Sequence, residues 1–324
     1  MKNVLLSLLL SSVVFSTAIP AAAQTTTRTK SLVAANPKEA TQNVQPKTEK
    51  TWRRKFWFFA NIGTGFDSNI NHDEEGIESF GLVPSMGFHL QDSVENPSVE
   101  FEYEGGLHRY TNTDKWNRFS NRIEGSYRKK IGRWVSRTEG EILLKGSSED
   151  RELDNWYSIG QRIEYRLTRD DRVQVFATYR IKRDPHDSGS NSIDSYIGGR
   201  YIRRLGLREL ELSYRYDKNR SWDPSNRYIR WQYEAQFETP VFGRRNRLTL
   251  EGTYKPRLYS KTVKVDRVRV PRHDDRWIGE IRFERALRPD LDMSLGYRYE
   301  TRDSNDPEKK FNSHQAGIGF SYRW

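Results

Sequence analysis

The chain contains no cysteine among its 324 residues. That excludes disulfide frameworks, Cys-ligated zinc, iron–sulfur clusters and cysteine nucleophiles together. Beyond the N-terminus it lacks any apolar run of about 18 residues, so no helix of the kind that crosses a bilayer is expected there. Apolar residues are few: 35% of the chain, with a mean hydropathy of -0.91. Such poverty normally marks a disordered chain or a small core. G-x-S-x-G, H-E-x-x-H and glycine-rich phosphate loops are also missing.

What is present contradicts disorder. Aromatics reach 13%, with 17 Tyr, 15 Phe and 9 Trp, and charged residues reach 31%. Lys and Arg number 55 against 44 Asp and Glu, a formal net charge of +11. A basic balance suggests a polyanionic partner: nucleic acid, anionic lipid or an acidic polymer.

The N-terminus narrows that choice. Lys2 precedes an apolar stretch from Val4 to Phe15, and Ala21, Ala22 and Ala23 supply small residues at a cleavage site. This is the pattern of an export signal over 1–23, cut after Ala23. Residues 24–51 are rich in Thr, Lys, Pro, Gln and Ala without periodicity, which predicts a flexible periplasmic linker. Export argues against nucleic acid as a partner.

From Trp52 onward the hydrophobic period is two. Leu210, Leu212, Tyr214 and Tyr216 interleave with Glu209, Glu211, Ser213 and Arg215, and Leu291, Met293, Leu295 and Tyr297 do the same with Asp290, Asp292, Ser294 and Gly296. Successive side chains of a strand point to opposite faces, so each segment has one apolar and one polar face. The segments are longer than the usual soluble strand of about 5–6 residues and match the about 9–11 that cross a bilayer at a tilt. Short connections near 91–97, 130–133, 168–171, 204–208, 239–244 and 287–290 alternate with longer polar ones. Short turns on one rim and longer loops on the other predict an antiparallel transmembrane β-barrel over 52–324, of about 14 strands in a range of 12–16. Pro84 interrupts the second strand, and the first carries aromatics on both faces at Phe56, Trp57, Phe58 and Phe59. Tyr110, Trp116, Trp134, Trp156, Tyr157, Trp222, Tyr228, Trp277 and Trp324 sit towards segment ends, where interfacial girdles are expected.

The last segment is the most specific. Ala316, Ile318, Phe320, Tyr322 and the terminal Trp324 are apolar at every second position. It resembles the C-terminal strand of bacterial outer-membrane β-barrels. That resemblance implies an outer-membrane location, lipid and lipopolysaccharide as surroundings, and the barrel-assembly machinery as a partner reading this signal. A narrower resemblance lies at 63–71, Gly-Thr-Gly-Phe-Asp-Ser-Asn-Ile-Asn. It is similar to barrels of the surface-lipoprotein assembly modifier and exopolysaccharide-associated type. That resemblance implies a barrel assisting the transfer of a surface lipoprotein or exopolysaccharide. Read from the residues alone, Asp, Ser and Asn start an extracellular turn.

If the apolar face meets lipid, the charged face lines the lumen. Alternation puts Arg122, Glu124, Arg137, Glu139, Glu141, Arg162, Glu164, Arg200, Arg215, Glu234, Glu251, Glu280, Arg282 and Arg298 on that face. Near balance of sign predicts pairing across strands, with water elsewhere. The functional reading is a porin-like or export-linked channel for polar, anionic or carbohydrate solutes, because arginine forks match carboxylate and phosphate. The segment 260–273 alternates Lys261, Lys264, Arg267, Arg269 and Arg272 with valines. It can extend a hairpin above the membrane, or fold into the mouth as a gate.

Catalytic chemistry is the third class. His108, Ser120 and Glu104 share one face of adjacent strands, and His273, Asp274 and Asp275 cluster at a rim. Neither has a defined orienting group and oxyanion site, so a hydrolase or acyltransferase ranks last. The oxygen-rich run from Asp67 to Glu75 lacks EF-hand spacing. No cofactor and no metal are expected.

Overall fold

A computed structural model describes residues 54–70, 76–92, 97–112, 117–147, 155–184, 189, 191–243, 245–265 and 267–324. The export signal and linker expected over 1–51 lie outside the described residues. Fourteen strands follow one another: β1 (Arg54–Asp67), β2 (Ser79–Asp92), β3 (Ser98–Tyr110), β4 (Arg118–Ile131), β5 (Trp134–Ser147), β6 (Asn155–Arg166) and β7 (Asp171–Arg183). They continue as β8 (Ser192–Leu205), β9 (Arg208–Ser221), β10 (Tyr228–Pro240), β11 (Asn246–Val265), β12 (Val268–Arg288), β13 (Leu291–Ser304) and β14 (Phe311–Arg323). Each strand pairs antiparallel with the next, and β14 returns to β1, so the sheet closes. Closure leaves no unpaired strand edge.

Turn chemistry follows the sequence. Gly132 and Gly206 adopt φ of 59° and 67° in the two-residue turns after β4 and β8. That left-handed conformation matches the twist of hairpin strands and costs glycine nothing. Pro84 stays within β2. Its ladder to β1 runs unbroken, whereas the ladder to β3 skips Val83 and Pro84. The N–H that proline lacks is absorbed on one side only.

Of the two readings of segment 260–273, the extended hairpin is the one the chain adopts. β11 and β12 have 20 and 21 residues and stay paired to Val265↔Val268. The basic–valine alternation is itself a period of two, so pairing satisfies the backbone. A register shift between Leu258 and Thr262 marks where the hairpin leaves the barrel wall.

The exterior is apolar. Ile159, Ile197, Leu212, Leu250, Ile281 and Ile318 are exposed, Ile197 at 61%. Tyr214, Tyr233, Tyr254 and Trp277 form an aromatic rung across β9 to β12, with centroid spacings of 5.3, 6.2 and 4.1 Å. A continuous apolar band of this kind suits the hydrocarbon of a bilayer and not water. The interior is the reverse: Arg230, Glu300, Asp217, Ser79 and Ser313 are the largest fully buried side chains.

The seam between first and last strands is fastened at both ends. At the short-turn rim, Phe58 and Trp324 exchange backbone hydrogen bonds of 3.1 and 3.2 Å, and their rings stack at 5.8 Å. At the other rim Asp67 accepts from Ser313 Oγ, Gln315 Nε2 and its own Asn69 N–H, each at 2.9 Å. Ser68 Oγ accepts from the His314 N–H at 2.8 Å, and Asn69 Nδ2 donates to the Asn312 carbonyl at 3.2 Å. The Asp-Ser-Asn run therefore acts as a latch across about 245 residues of chain. The rest of the acidic run, Asn71 to Glu75, lies outside the described residues.

Candidate functional site

The register puts the whole predicted charge ladder on the inner wall, in the strands where period two placed it. Much of the pairing runs along a strand, between residues two apart. Arg122 holds Glu124 at 2.6 Å, Arg137 holds Glu139 at 2.9 Å, Arg215 holds Asp217 at 2.7 Å, and Arg298 holds Glu300 at 2.9 Å. Arg282 and Glu280 pair the same way. The cross-strand pairing expected from the sequence is also present: Arg122 to Glu141 at 2.8 Å, Arg162 to Glu139 at 3.3 Å and Arg200 to Glu211 at 3.0 Å. Arg137 on β5 reaches over β4 to Glu100 on β3 at 3.1 Å. Glu164 lies between Arg166 and Arg172 and accepts from Gln174 at 2.8 Å. Glu234 accepts from Gln232 at 2.9 Å, and Glu251 from Thr253 at 3.4 Å. Charge that would be expensive alone is thus neutralised along most of the wall.

The ladder does not line the wall evenly. β13, β14, β1 and β2 turn small residues inward: Ser294, Gly296, Ser313, Gly317, Gly319, Gly63, Gly65, Gly81 and Ser85. Beside them on β12 and β13 stand Glu280, Arg282, Glu284 and Arg298, and together they line a cavity of about 450 Å³. At Gly65 an added Cβ would lie 2.7 Å from the Ala316 carbonyl oxygen, so glycine there also permits the close seam. At Gly296 it would meet nothing within 4 Å. The small-residue wall was missed in sequence reasoning, although Gly317, Gly319 and Ser321 fill the polar positions of the last strand in plain view.

Three aromatics expected in the outer girdle face the lumen instead. The Trp156 ring lies between Lys145 and Arg180, at 4.9 and 4.7 Å. Tyr228 takes the Arg257 guanidinium at 4.3 Å, and Tyr110 covers Gly81. In a lumen crowded with guanidinium groups, a ring face is a binding partner. Trp116 lies outside the described residues. Trp134, Tyr157, Trp277 and Trp324 are exposed on the outer face, and Trp222 is exposed in the loop after β9, where Arg183 stacks on it at 4.7 Å. In that loop Ser225 hydrogen bonds hold the Asp223 carboxyl below its usual range.

The alternative catalytic groups are not assembled. His108 faces Arg118 in register, and Glu104 accepts from Ser85 at 2.6 Å. Asp274 is held by Arg272 and Ser304, while His273 is exposed and 3.6 Å from Asp275. Lys261, Lys264, Arg267 and Arg269 are exposed on the β11–β12 hairpin; Arg272 is buried against Asp274 at 2.6 Å. The C-terminal residues Ala316, Ile318, Phe320, Tyr322 and Trp324 all face outward.

No family model matches the sequence, and no curated protein matches it either. Solved structures do match. A loop-deleted OmpT, an outer membrane protein of Vibrio cholerae, superimposes with a TM-score of 0.51 at 8% identity, covering 84% of this chain and 99% of that one. An anion-selective porin from Comamonas acidovorans gives 0.50 at 9%, covering 84% and 100%. A bacterial polysaccharide outer membrane secretin gives 0.51 at 10%, covering 82% and 98%. The fold is that of a bacterial outer-membrane β-barrel. The likeness spans nearly the full length of those proteins, and at such identities it concerns the backbone alone. The barrel's side chains have to speak for its function.

Proposed function

We propose that the protein is an outer-membrane channel for polar solutes, small or polymeric, with anionic and carbohydrate groups as the preferred class. The observation that carries this is the uneven lumen wall: a stretch of glycine and serine beside a ladder of paired Arg and Glu. The missing side chains leave a polar passage, and the guanidinium groups offer forked donors along it. The anion-selective porin and the polysaccharide secretin share this backbone plan, which supports the reading. The export signal and the C-terminal aromatic strand fit delivery to the outer membrane and recognition by the assembly machinery.

Planar-bilayer recording of the refolded chain tests the proposal. Discrete conductance steps are expected, with a reversal potential in a salt gradient that favours anions. An added Cβ at Gly296 meets nothing within 4 Å, so Gly296→Trp should project an indole into the passage and lower conductance to roughly half or less. A folded barrel that shows no steps, or a Gly296→Trp barrel that conducts like the parent, would sink the channel reading.

A further inference from the structure

Four neighbouring strands place five cations at one level of the inner wall: Arg230 on β10, Lys255 and Arg257 on β11, Arg276 on β12, and Arg302 on β13. They oppose one another in register. Arg230 faces Arg257, Lys255 faces Arg276, and Arg276 faces Arg302. Like charges directly opposite destabilise a sheet, and burial raises the cost. Arg230, Lys255 and Arg276 are only 2%, 5% and 8% exposed.

Three carboxylates nearby are engaged by other side chains, while Asp194 on β8 is buried with one oxygen unpartnered. Asp217 is shared by Arg230 and Arg215, Glu300 by Arg276 and Arg298, and Asp274 is held by Arg272 and Ser304. Among the described residues no carboxylate lies within ion-pair distance of Lys255, Arg257 or Arg302. Arg257 donates to the Tyr259 hydroxyl at 2.6 Å, and Arg302 rests 4.7 Å from the Phe311 ring. Arg230 Nη1, Arg276 Nε and Arg298 Nε are buried without an acceptor. Elsewhere in the lumen guanidinium groups find carboxylates; here Lys255, Arg257 and Arg302 have none within ion-pair distance among the described residues, although Asp274 stands opposite Arg257 in register.

We infer that this patch is an anion-binding site for an oxyanion group, phosphate, sulfate or carboxylate, with Lys255, Arg257 and Arg302 as its uncommitted cations. One tetrahedral or planar oxyanion supplies several acceptors at once and cancels the repulsion along the row. The site deepens the channel reading, on which it rests, by naming the chemical group that the barrel's interior recognises. A free phosphate and a charged group carried on a longer solute present the same acceptors.

The test uses the full chain refolded in detergent, with inorganic phosphate as the probe. Calorimetric titration should show one phosphate bound per chain. At matched ionic strength, phosphate in place of chloride should raise the midpoint of thermal unfolding by about 5 °C. The K255Q/R302Q variant should lose that shift, and its phosphate-free midpoint should lie above the parent's because like-charge repulsion is relieved. If the double variant fails to fold, R302Q alone, at a half-buried position, carries the comparison. An equal shift in parent and variant would mean general salt exclusion and overturn the site. So would a parent chain that binds no phosphate at millimolar concentration, which leaves water as the occupant. Phosphate binding by a barrel that does not conduct would refute the channel and leave the site standing. Conduction without binding would do the opposite.

Discussion

Asp67 shows how much one side chain can hold in a closed sheet. Its carboxylate joins strands that are neighbours in space and ends of the chain in sequence. Asp67→Ala should lower unfolding stability by about 2–3 kcal/mol, because two charge-assisted hydrogen bonds across the seam disappear. Urea titration of the folded band checks this; a loss below about 0.5 kcal/mol would deny the latch. Gly198 illustrates a different dependence. A Cβ there would come within 2.4 Å of the Tyr214 carbonyl oxygen and 2.5 Å of the Phe176 ring. Gly198→Val should cost about 1–3 kcal/mol through overpacking, read by the same titration. The inward direction of Arg122 or Glu280 was legible from alternation alone. The partner of each was not, because several carboxylates lie within reach of every long guanidinium side chain. The Asp-Ser-Asn run was read as a turn, and its role as a latch depends on residues some 245 positions away.

The short-turn rim was legible to within a few residues, since a period of two over a dozen residues admits no other element. For the stretch after Tyr259 the sequence leaves open an extended hairpin or an inward fold; its alternation extends the ladder to Val265↔Val268. Its exposed cations stand on the rim hairpin. Deleting 262–271 should therefore leave single-channel conductance unchanged. An increase would show that the hairpin constricts the mouth after all. The positive φ of 70° at Arg267, next to the hairpin tip, is a conformation that favours glycine. The girdle was less legible than the strands. Sequence position shows that Trp156 and Tyr228 lie near strand ends, but their rings turned inward to guanidinium and ammonium groups.

A closed fourteen-strand sheet with an apolar exterior should resist detergent until heated. On SDS gels the unboiled protein should migrate faster than the boiled protein; migration unaffected by boiling would contradict the barrel in solution. The scarcity of apolar residues acquires a cause in this architecture. One face of every strand is apolar for lipid, the other polar for the lumen, and the average over both is low. Composition and the period of two by themselves decided that the chain is a transmembrane barrel, because both are local properties that any folded form must respect. Which residues of different strands share a level on the inner wall was beyond them. That is set by closure and register, and only these bring the glycines of the first and last strands beside Arg282 and Arg298. Register among β11, β12 and β13 likewise brings Lys255, Arg257 and Arg302 together with no carboxylate within ion-pair distance among the described residues.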